Sequence, residues 1–359
     1  MMYNSLMDNR ETLQKIVRPL LGWYAQCARV LPWRENHDPY RVWVSEIMLQ
    51  QTRVDTVIPY YLRFLEQLPD IPTLAAAPEE QLLKLWEGLG YYSRVRSMQK
   101  AARLAVEKYD GQLPGSVEEL KKLPGIGEYT AGAIGSIAFG LPVPAVDGNV
   151  LRVVSRIINS HKDVADPKVK TEITELVTAV LPTDCVGDFN QALMDLGATI
   201  CLPGANPRCE ACPLKDLCRG FAAGTAGELP VKAQKAPRKI QERTVFVLRR
   251  GDTLALHRRP DGGLLGGLWE LPGVEEPLDV DRSAIILREW GLELMEELQK
   301  QPAAKHVFTH VEWHMTVYAT EVKSQTEGFT WVTGEQMREA YMLPSAFLKI
   351  QTVKQFLEE

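Results

Sequence analysis

The chain has 359 residues, of which 45% are hydrophobic and 24% are charged, a composition typical of a globular protein long enough for two domains. Its polar first residues and the lack of a long apolar run argue against a signal peptide or a membrane span, so we expect a cytoplasmic protein with no membrane partner. The formal net charge of −5 excludes a general electrostatic attraction to nucleic acid, so DNA binding would need local basic clusters and helix termini.

Helical patterns dominate residues 10 to about 200, where turn signals separate amphipathic segments and strand patterns are scarce. One of these segments, VWVSEIMLQQTR, places Glu46 among apolar residues. Burial of this kind can raise the pKa of a glutamate enough to keep it a proton donor near neutral pH. The alternative is an ordinary glutamate on the solvated face of the helix.

A glycine turn lies at residues 123–132, LPGIGEYTAG, where Gly125 and Gly127 come directly before a helical pattern. The preceding segment, SVEELKKL, has apolar residues at helical spacing, so the sequence predicts a helix, a tight turn and a second helix. Unpaired N–H groups and the helix dipole at the start of the second helix attract anions, which predicts a site for a DNA phosphate. A turn that only connects two helices is the alternative.

A second carboxylate, Asp147, stands in PAVDGNVLRV at the predicted start of another helix. Aspartate is common at such a position because its side chain accepts a hydrogen bond from a free backbone N–H. From the residues alone, a helix cap and a catalytic carboxylate both remain open.

Four of the six cysteines lie close together with the spacing C-x7-C-x2-C-x5-C: Cys201, Cys209, Cys212 and Cys218. Because disulfides are rare in the cytoplasm, this group predicts four thiolate ligands to a metal. Zinc usually uses two C-x2-C pairs with a longer segment between them. A single pair with two short flanking loops therefore favours a [4Fe–4S] cluster, with zinc as the alternative.

The pattern changes at about residue 240, where TVFVLRR and TLALHRR are apolar runs separated by Gly251 and Asp252. Such a pair of runs predicts a β-hairpin. Further strand patterns occupy residues 306–322 and 329–332, and helical patterns lie near residues 281–290 and at the C-terminus. The sequence therefore predicts an α-helical domain followed by an α+β domain.

The predicted domain boundaries follow the composition of the chain. The helical domain takes residues 1–221 and includes the cysteine loop at 201–218, and the α+β domain takes residues 240–359. Residues 222–239 between them are rich in small residues, proline and lysine, as expected of a linker.

Taken together, these motifs resemble the helix-hairpin-helix glycosylases of DNA repair. The glycine turn, the aspartate of VDGNV about twenty residues later and the four-cysteine loop carry this resemblance. More narrowly, LPWR, VSEIMLQQTRV, WEGLGYYSR and AVDGNVLRV resemble the adenine DNA glycosylase (MutY) family over essentially the whole chain. The family removes adenine mispaired with 8-oxoguanine. The resemblance implies an α-helical helix-hairpin-helix glycosylase domain with an iron–sulfur cluster loop, followed by an α+β Nudix-like domain that recognises the lesion.

The resemblance also implies catalytic roles. Glu46 would protonate adenine at N7, and Asp147 would stabilise the positive charge that develops on the sugar. Asn149 would orient the acid, and Tyr129 would support the acid and the sugar cation by hydrogen bonding. Bifunctional relatives with endonuclease III-like activity carry a lysine in place of Tyr129, and a phenol cannot form their imine with the sugar. We therefore expect a monofunctional glycosylase with water as the nucleophile.

Contacts with DNA are implied for another set of residues. Trp33, Arg34 and Gln191 would line the pocket for the flipped adenine, while Gln51 and Tyr91 would fill or wedge the double helix near the lesion. Aromatic residues of a core and polar residues of a surface are the structural alternatives. The expected partner is duplex DNA containing adenine opposite 8-oxoguanine or guanine, bound by a monomer.

A lesion-recognition loop is implied at Phe308, Thr309 and His310, where serine is common in the middle position of the family's loop. Threonine keeps the hydroxyl and the backbone N–H, so recognition should survive this difference. A second departure is the first cysteine gap, which at seven residues is one longer than usual in the family. An ordinary β-hairpin is the structural alternative for the loop.

Two rival functions make different demands on the residues. A Nudix-type nucleotide pyrophosphatase needs a helix with paired glutamates to bind Mg²⁺, whereas this chain has LREWGLE, in which Arg288 and Glu289 are closely followed by Gly291. A non-enzymatic iron–sulfur DNA-binding protein would have no need for Glu46 or Asp147, and both are present.

Overall fold

The computed structural model describes residues 2–233 and 237–358. Residues 234–236 of the predicted linker lie outside the described residues, and the predicted domain boundaries stay a prediction. Contacts within the chain divide it into two compact units, which we call the helical unit and the C-terminal unit. They comprise, respectively, Met1–Ala76 with Arg96–Gln234, and Ala77–Val95 with Lys235–Glu359.

Helices occupy most of the first two thirds of the chain, as the amphipathic patterns predicted. In the described part of the chain, no helix is long and apolar enough to cross a membrane. The helices before the first strand are α1 (Met2–Cys27), α2 (Pro39–Leu49), α3 (Val54–Gln67), α4 (Ile71–Ala76), α5 (Glu79–Leu85), α6 (Ser93–Lys108), α7 (Val117–Leu120), α8 (Glu128–Ala138), α9 (Gly148–Ile157), α10 (Pro167–Thr178), α11 (Val186–Thr199) and α12 (Arg219–Ala222).

Helix α9 illustrates why these segments are helical. Val150, Val153, Val154 and Ile157 follow the helical period and are all buried. They join an apolar core to which α1, α10 and α11 also contribute. Asp147 caps the first turn of α9 by accepting a hydrogen bond from the backbone N–H of Val150. The cap thus holds this carboxylate at the end of a helix that is anchored in the core.

The C-terminal unit carries the strands that the sequence predicted. The remaining strands and helices are β1 (Lys239–Arg250), β2 (Thr253–Arg258), β3 (Trp269–Glu270), β4 (Gly273–Val274), α13 (Val280–Glu289), β5 (Gln299–Val307), β6 (Val311–Glu321), β7 (Thr330–Thr333), α14 (Gly334–Glu339), α15 (Ser345–Leu348) and α16 (Gln351–Glu358). Among the described residues, these strands form one mixed sheet in the order β3-β2-β1-β6-β5, with β4 paired to β1 and β7 to β2. Strands β1 and β6 are parallel.

Side chains of β1 alternate between two apolar cores. Val245 and Val247 pack into one core, and Phe246 and Leu248 pack into the other. This alternation is the two-residue period of a strand buried on both faces. Gly251, which connects β1 to the antiparallel β2, has a φ of +58°, so the predicted hairpin is confirmed and uses glycine where a left-handed residue is required.

Strands β5 and β6 form a second antiparallel hairpin, with residues 308–310 as its loop. The backbone N–H of Phe308 donates to the carbonyl oxygen of Val311 at 2.9 Å and closes the loop. The segment predicted to recognise the lesion is therefore a short connection held at both ends by the sheet.

Candidate active site

A cavity of about 430 Å³ lies in the helical unit among α2, α8, α11 and the residues that precede α9. This volume falls within the range of roughly 300–1,000 Å³ that is typical of small-ligand sites. Helix packing thus brings together side chains from distant parts of the sequence. The predicted site residues that border the cavity are Trp33, Arg34, Glu46, Gln51, Tyr129, Asp147, Asn149 and Gln191.

Glu46 lies on α2 with only 6% of its surface exposed. Burial, and to a lesser extent the nearby Asp147 carboxylate, raises the pKa of Glu46 to about 7 against the opposing effects of Tyr129 and Arg34. A large fraction of Glu46 is therefore protonated at neutral pH, as a general acid requires.

Tyr129 lies in the first turn of α8, two residues after the N-cap residue Gly127. Its phenol oxygen donates a hydrogen bond of 2.6 Å to Oε2 of Glu46. The same oxygen lies 3.7 Å from Sδ of Met194. Burial raises the pKa of Tyr129 well above its ordinary value, so the phenol keeps its proton and acts toward Glu46 as a donor.

Asp147 is both a helix cap and part of the cavity wall, so the two alternatives left by the sequence coexist. Its Oδ1 accepts a hydrogen bond from the backbone N–H of Val150 at 2.8 Å, and its Oδ2 accepts one from Nδ2 of Asn149 at 2.7 Å. Burial raises the pKa of Asp147, while these hydrogen bonds oppose the shift. The bonds therefore fix the carboxylate at the cavity and favour its ionised form.

Asn149 and Arg152 connect Asp147 to the start of the cysteine loop. Nη2 of Arg152 donates to Oδ1 of Asn149 at 2.8 Å, and Nε of Arg152 donates to the carbonyl oxygen of Cys201 at 2.8 Å. A Cβ at Gly197 would lie 2.7 Å from Cβ of Asn149, so only glycine allows this close approach. In this structure Asn149 thus orients Asp147, whereas the family resemblance implied that it orients the acid.

Two arginines of the cavity wall share one buried carboxylate, Asp195 of α11. Arg34 donates to Asp195 through Nη1 at 2.7 Å and Nη2 at 2.9 Å, and Arg29 donates through Nε at 2.9 Å. The side chain of Asp195 is 1% exposed. Burial by itself would raise the pKa of Asp195, but the bonds from the two arginines lower it below its ordinary value. Asp195 is therefore a buried carboxylate that stays ionised.

Trp33 and Gln51 contribute to the same cavity in different ways. Trp33 is buried and packs edge-on against Tyr61, with ring centroids 5.4 Å apart, so it belongs to the core and to the cavity wall. Gln51 is exposed and has a φ of +63°. Left-handed backbone is uncommon for a residue other than glycine and tends to occur at functional sites.

The glycine turn lies between α7 and α8 and outside the cavity lining. Gly125 has a φ of +82°, and a Cβ there would lie 2.9 Å from Cβ of Ser97. Both facts require glycine at this position. Gly127 is the N-cap of α8 and provides no side-chain cap. The first backbone N–H groups of α8 therefore receive no side-chain cap from the N-cap residue, as an anion site requires.

The four clustered cysteines border a second, mainly apolar cavity of the helical unit. All of them carry free thiols. Arg156 of α9 donates to Sγ of Cys201 at 3.3 Å and to the carbonyl oxygens of Leu202 at 2.7 Å and Gly204 at 3.0 Å. Within residues 2–233 and 237–358, no three His, Cys, Asp or Glu side chains form a group arranged to hold a metal ion. The four thiols thus border one cavity.

Tyr91 and Thr309 meet within the C-terminal unit, although 218 residues separate them. The phenol oxygen of Tyr91 lies 2.9 Å from Oγ1 of Thr309. Tyr91 has a φ of +49°, and 49% of its surface is exposed. Phe308 packs edge-on against Trp313 at 4.8 Å, while His310 is exposed at the end of the hairpin loop. Two residues assigned to different DNA contacts are therefore hydrogen-bonded to each other here.

Comparison with protein families matches two parts of the chain. Residues 44–179 match the HhH-GPD superfamily of base excision DNA repair proteins, and residues 244–352 match the NUDIX domain. The first match includes Glu46, Tyr129 and Asp147, and the second includes the β5–β6 hairpin loop.

A rat protein named adenine DNA glycosylase is 36% identical to this chain over 386 residues, and the match covers 90% of this chain and 75% of the rat protein. The chain belongs to the adenine DNA glycosylase family. An adenine DNA glycosylase of Buchnera aphidicola is 38% identical over 257 residues, which cover 70% of this chain and 72% of that protein.

A solved structure agrees with the helix-hairpin-helix glycosylase fold of the helical unit. The structure of a thermostable thymine-DNA glycosylase matches with a TM-score of 0.54 and 27% identity, covering 60% of this chain and 98% of that one. As a member of its family, the chain is an enzyme of base-excision repair, with a helix-hairpin-helix glycosylase domain followed by a Nudix domain. These findings confirm the family and the fold class that the motifs indicated.

The sequence did not single out several polar residues that lie at or near the cavity. Arg29 and Lys170 border the cavity, and Asp195 and Arg152 hold residues of its wall. Asp195 stands among apolar residues in QALMDLGA, which is the signal that singled out Glu46. The same criterion would therefore have found Asp195, whereas Arg29 and Lys170 carry no local signal.

Proposed function

We propose that the chain hydrolyses the N-glycosidic bond of adenine opposite 8-oxoguanine or guanine in duplex DNA. The observation that carries this proposal is the meeting of Glu46 and Asp147 at one cavity, with a phenol hydrogen-bonded to the first. A base inside a duplex cannot reach such a cavity, so the adenine must be flipped out at a cost of a few kcal/mol. A mispaired adenine lowers this cost because its pairing is already weak.

Glu46 is the general acid of the proposed reaction. Adenine leaves poorly as an anion, so protonation at N7 is worth about 10²- to 10⁴-fold in rate. Because burial keeps a large fraction of Glu46 protonated at neutral pH, the proton is available when the base enters. The bond from Tyr129 fixes the orientation of this carboxyl group.

Asp147 stabilises the sugar as the base departs. Loss of adenine leaves oxocarbenium character on the sugar, and an ionised carboxylate can stabilise this charge or trap it covalently. The hydrogen bonds from Val150 and Asn149 favour that ionised form. Water then completes the hydrolysis, since the phenol of Tyr129 cannot form an imine with the sugar.

The test is incubation with duplexes that carry adenine opposite 8-oxoguanine, guanine or thymine, with and without subsequent alkali. We expect alkali-dependent cleavage at adenine opposite 8-oxoguanine and guanine, and none opposite thymine. Absence of adenine release from every mispair would overturn the proposal. Strand cleavage without alkali would contradict a monofunctional enzyme. A Tyr129→Lys variant should gain a borohydride-trapped adduct with DNA, because it supplies the missing amine.

We further propose that Cys201, Cys209, Cys212 and Cys218 hold a [4Fe–4S] cluster. The donor set fits, because four thiols border one apolar cavity and Arg156 donates a hydrogen bond to one of the sulfur atoms. Hydrogen bonds to the sulfurs are among the features that tune such clusters. Zinc more usually uses two C-x2-C pairs with a longer segment between them, and this loop has a single such pair. When bound, the cluster would organise the loop that follows α11.

Metal analysis tests this assignment. Protein purified without oxygen should contain iron and acid-labile sulfide in stoichiometric amounts, and stoichiometric zinc without iron would overturn it. Cys212→Ser should lower the iron content and weaken DNA binding before it affects base release. The isolated Cys185 offers the matched control, because Cys185→Ser should change neither quantity.

We also propose that Phe308, Thr309 and His310 recognise 8-oxoguanine, together with Tyr91. The support is their position at an exposed hairpin loop and the hydrogen bond between Tyr91 and Thr309. Thr309→Ala with His310→Ala should reduce the preference for 8-oxoguanine over guanine by roughly 1–3 kcal/mol. Ser324→Ala removes an exposed hydroxyl elsewhere in the same unit and serves as the control. Equal preference in the double variant and the parent would remove this loop from the recognition site.

The last part of the proposed function concerns how the chain is organised. We propose that it acts as a monomer, with residues 1–221 as the glycosylase domain, 222–239 as the linker and 240–359 as the lesion-recognition domain. Sedimentation of the complex with a lesion duplex measures the stoichiometry. Two chains on one duplex would contradict the monomer.

A further inference from the structure

The buried carboxylate Asp195 stands behind the wall of the cavity rather than in it. The cavity is bordered by Arg29 and Arg34, and both donate hydrogen bonds to Asp195 at distances down to 2.5 Å. Arg34 also donates to the carbonyl oxygen of Arg29 at 3.2 Å. A single carboxylate thus fixes the position of both guanidinium groups.

The charges of this cluster do not cancel. Two guanidinium groups and one carboxylate leave one net positive charge at the wall. Nε of Arg34 is buried and has no hydrogen-bond partner among the described residues, whereas Nη1 and Nη2 donate to Asp195. Asp195 therefore neutralises one positive charge and leaves a donor unpaired.

Charged groups at the cavity act on the general acid, Glu46. Tyr129 from α8, Asp147 at the start of α9 and Arg34 from the segment before α2 act on Glu46. Arg29, from the same segment as Arg34, and Lys170 from α10 border the same cavity. The positive charge of Arg34 lowers the pKa of Glu46. A second uncompensated guanidinium at the wall of the same cavity would add to this effect and favour loss of the proton that Glu46 must donate.

We propose that Asp195 is a positioning residue that, by holding Arg29 and Arg34 and neutralising one of their charges, keeps Glu46 protonated for the reaction. This inference rests on the proposed role of Glu46 as general acid. Asp195 touches neither the base nor the sugar, and it acts through the two arginines. The same contacts keep the Arg34 guanidinium at the wall in a single orientation, where the adenine would enter.

The dependence of the single-turnover rate on pH tests this inference. Release of adenine needs protonated Glu46, so the rate falls as the pH rises through the pKa of that group. Asp195→Asn removes the negative charge and keeps the shape, so the alkaline limb should move to lower pH by about one unit or more. Arg29→Gln removes a positive charge, so its limb should move to higher pH. The double variant restores the net charge and should return the limb toward that of the parent.

Opposite shifts in the two single variants distinguish this role from a structural one. Loss of a buried partner that only damaged the fold would lower the rate at all pH values and leave the limb in place, which would overturn the inference. Arg29→Gln tests it even where Asp195→Asn does not fold, because Arg34 keeps its carboxylate in that variant. Asp188→Asn, which changes an exposed carboxylate of the same helix, is the control and should not move the limb. If the parent releases adenine but the alkaline limb does not move in the variants, this inference is wrong and the proposed function still stands.

Discussion

Glu46 and Asp195 are two buried carboxylates of the same unit, and their ionisation is opposite. Glu46 is 6% exposed and Asp195 is fully buried. The pKa of Glu46 is raised to about 7, and that of Asp195 is lowered. Burial by itself would raise the pKa of both carboxyl groups. Asp195, however, receives charged hydrogen bonds from two guanidinium groups, whereas Glu46 receives one from a neutral phenol. The partners therefore decide which carboxylate carries a proton and which carries a charge.

The largest effect expected from this comparison is the loss of base release in Glu46→Gln. Glutamine keeps the shape of the side chain and has no acidic proton, so the single-turnover rate should fall by about 10²- to 10⁴-fold. Binding to the lesion duplex should stay nearly unchanged, because affinity depends mostly on phosphate and lesion contacts. Glu175→Gln, at an exposed position of α10, is the control. A rate within tenfold of the parent would end the assignment of Glu46.

A third carboxylate, Asp147, extends the comparison because it caps a helix as well as bordering the cavity. Asparagine is an equally good N-cap, so Asp147→Asn should change the free energy of unfolding by less than about 1 kcal/mol. The rate should nevertheless fall nearly as much as in Glu46→Gln, since the amide carries no charge to stabilise the sugar. Rates and chemical denaturation measure the two quantities separately. A loss of stability with an unchanged rate would leave Asp147 as a cap only.

Features with a local signal were predictable from the sequence. The turn at Gly125 and the hairpin at Gly251 each lie within a short segment whose residues determine the local backbone. Glu46 was recognisable for the same reason, because its apolar neighbours on α2 are adjacent in the sequence. Residues adjacent in the sequence were sufficient to predict each of these features.

Features that depend on tertiary packing were not predictable. Asp195 meets Arg34 across 161 residues, and Tyr91 meets Thr309 across 218 residues. Asp195 and Glu46 have similar apolar surroundings in the sequence, and nothing there shows that only one of them faces two arginines. The ionisation of a buried carboxylate therefore follows from contacts that a single sequence does not specify.

Stability at different pH values gives the next largest effect. The folded pKa of Glu46 lies near 7, above its ordinary value of 4.5, so the parent loses stability as the pH rises between these values. Glu46→Gln escapes this loss and should be more stable than the parent by up to about 3 kcal/mol above neutral pH, with no such gain below pH ~4. Denaturant unfolding at two pH values measures the difference.

Asp195→Asn should behave in the opposite way in the same experiment. The folded pKa of Asp195 is lowered, so its contribution to stability is present above the unfolded pKa and is lost as the pH falls through the folded one. The variant should therefore be less stable than the parent by up to about 3 kcal/mol at neutral pH, because two half-buried guanidinium groups lose their carboxylate. Equal effects of the two variants at neutral pH would contradict the contrast between the two carboxylates.

The smallest expected effect is the change in the pKa of Glu46 when its phenol partner is removed. Tyr129→Phe removes the hydroxyl that donates to Glu46 at 2.6 Å. Because this bond lowers the pKa of Glu46, its loss should raise that pKa and move the alkaline limb of the rate profile to higher pH by about one unit. Tyr109→Phe is a matched control, since Tyr109 donates to Glu119 at 2.7 Å away from the cavity. A limb that stays in place or moves to lower pH in Tyr129→Phe would show that the phenol does not favour the ionised form of Glu46.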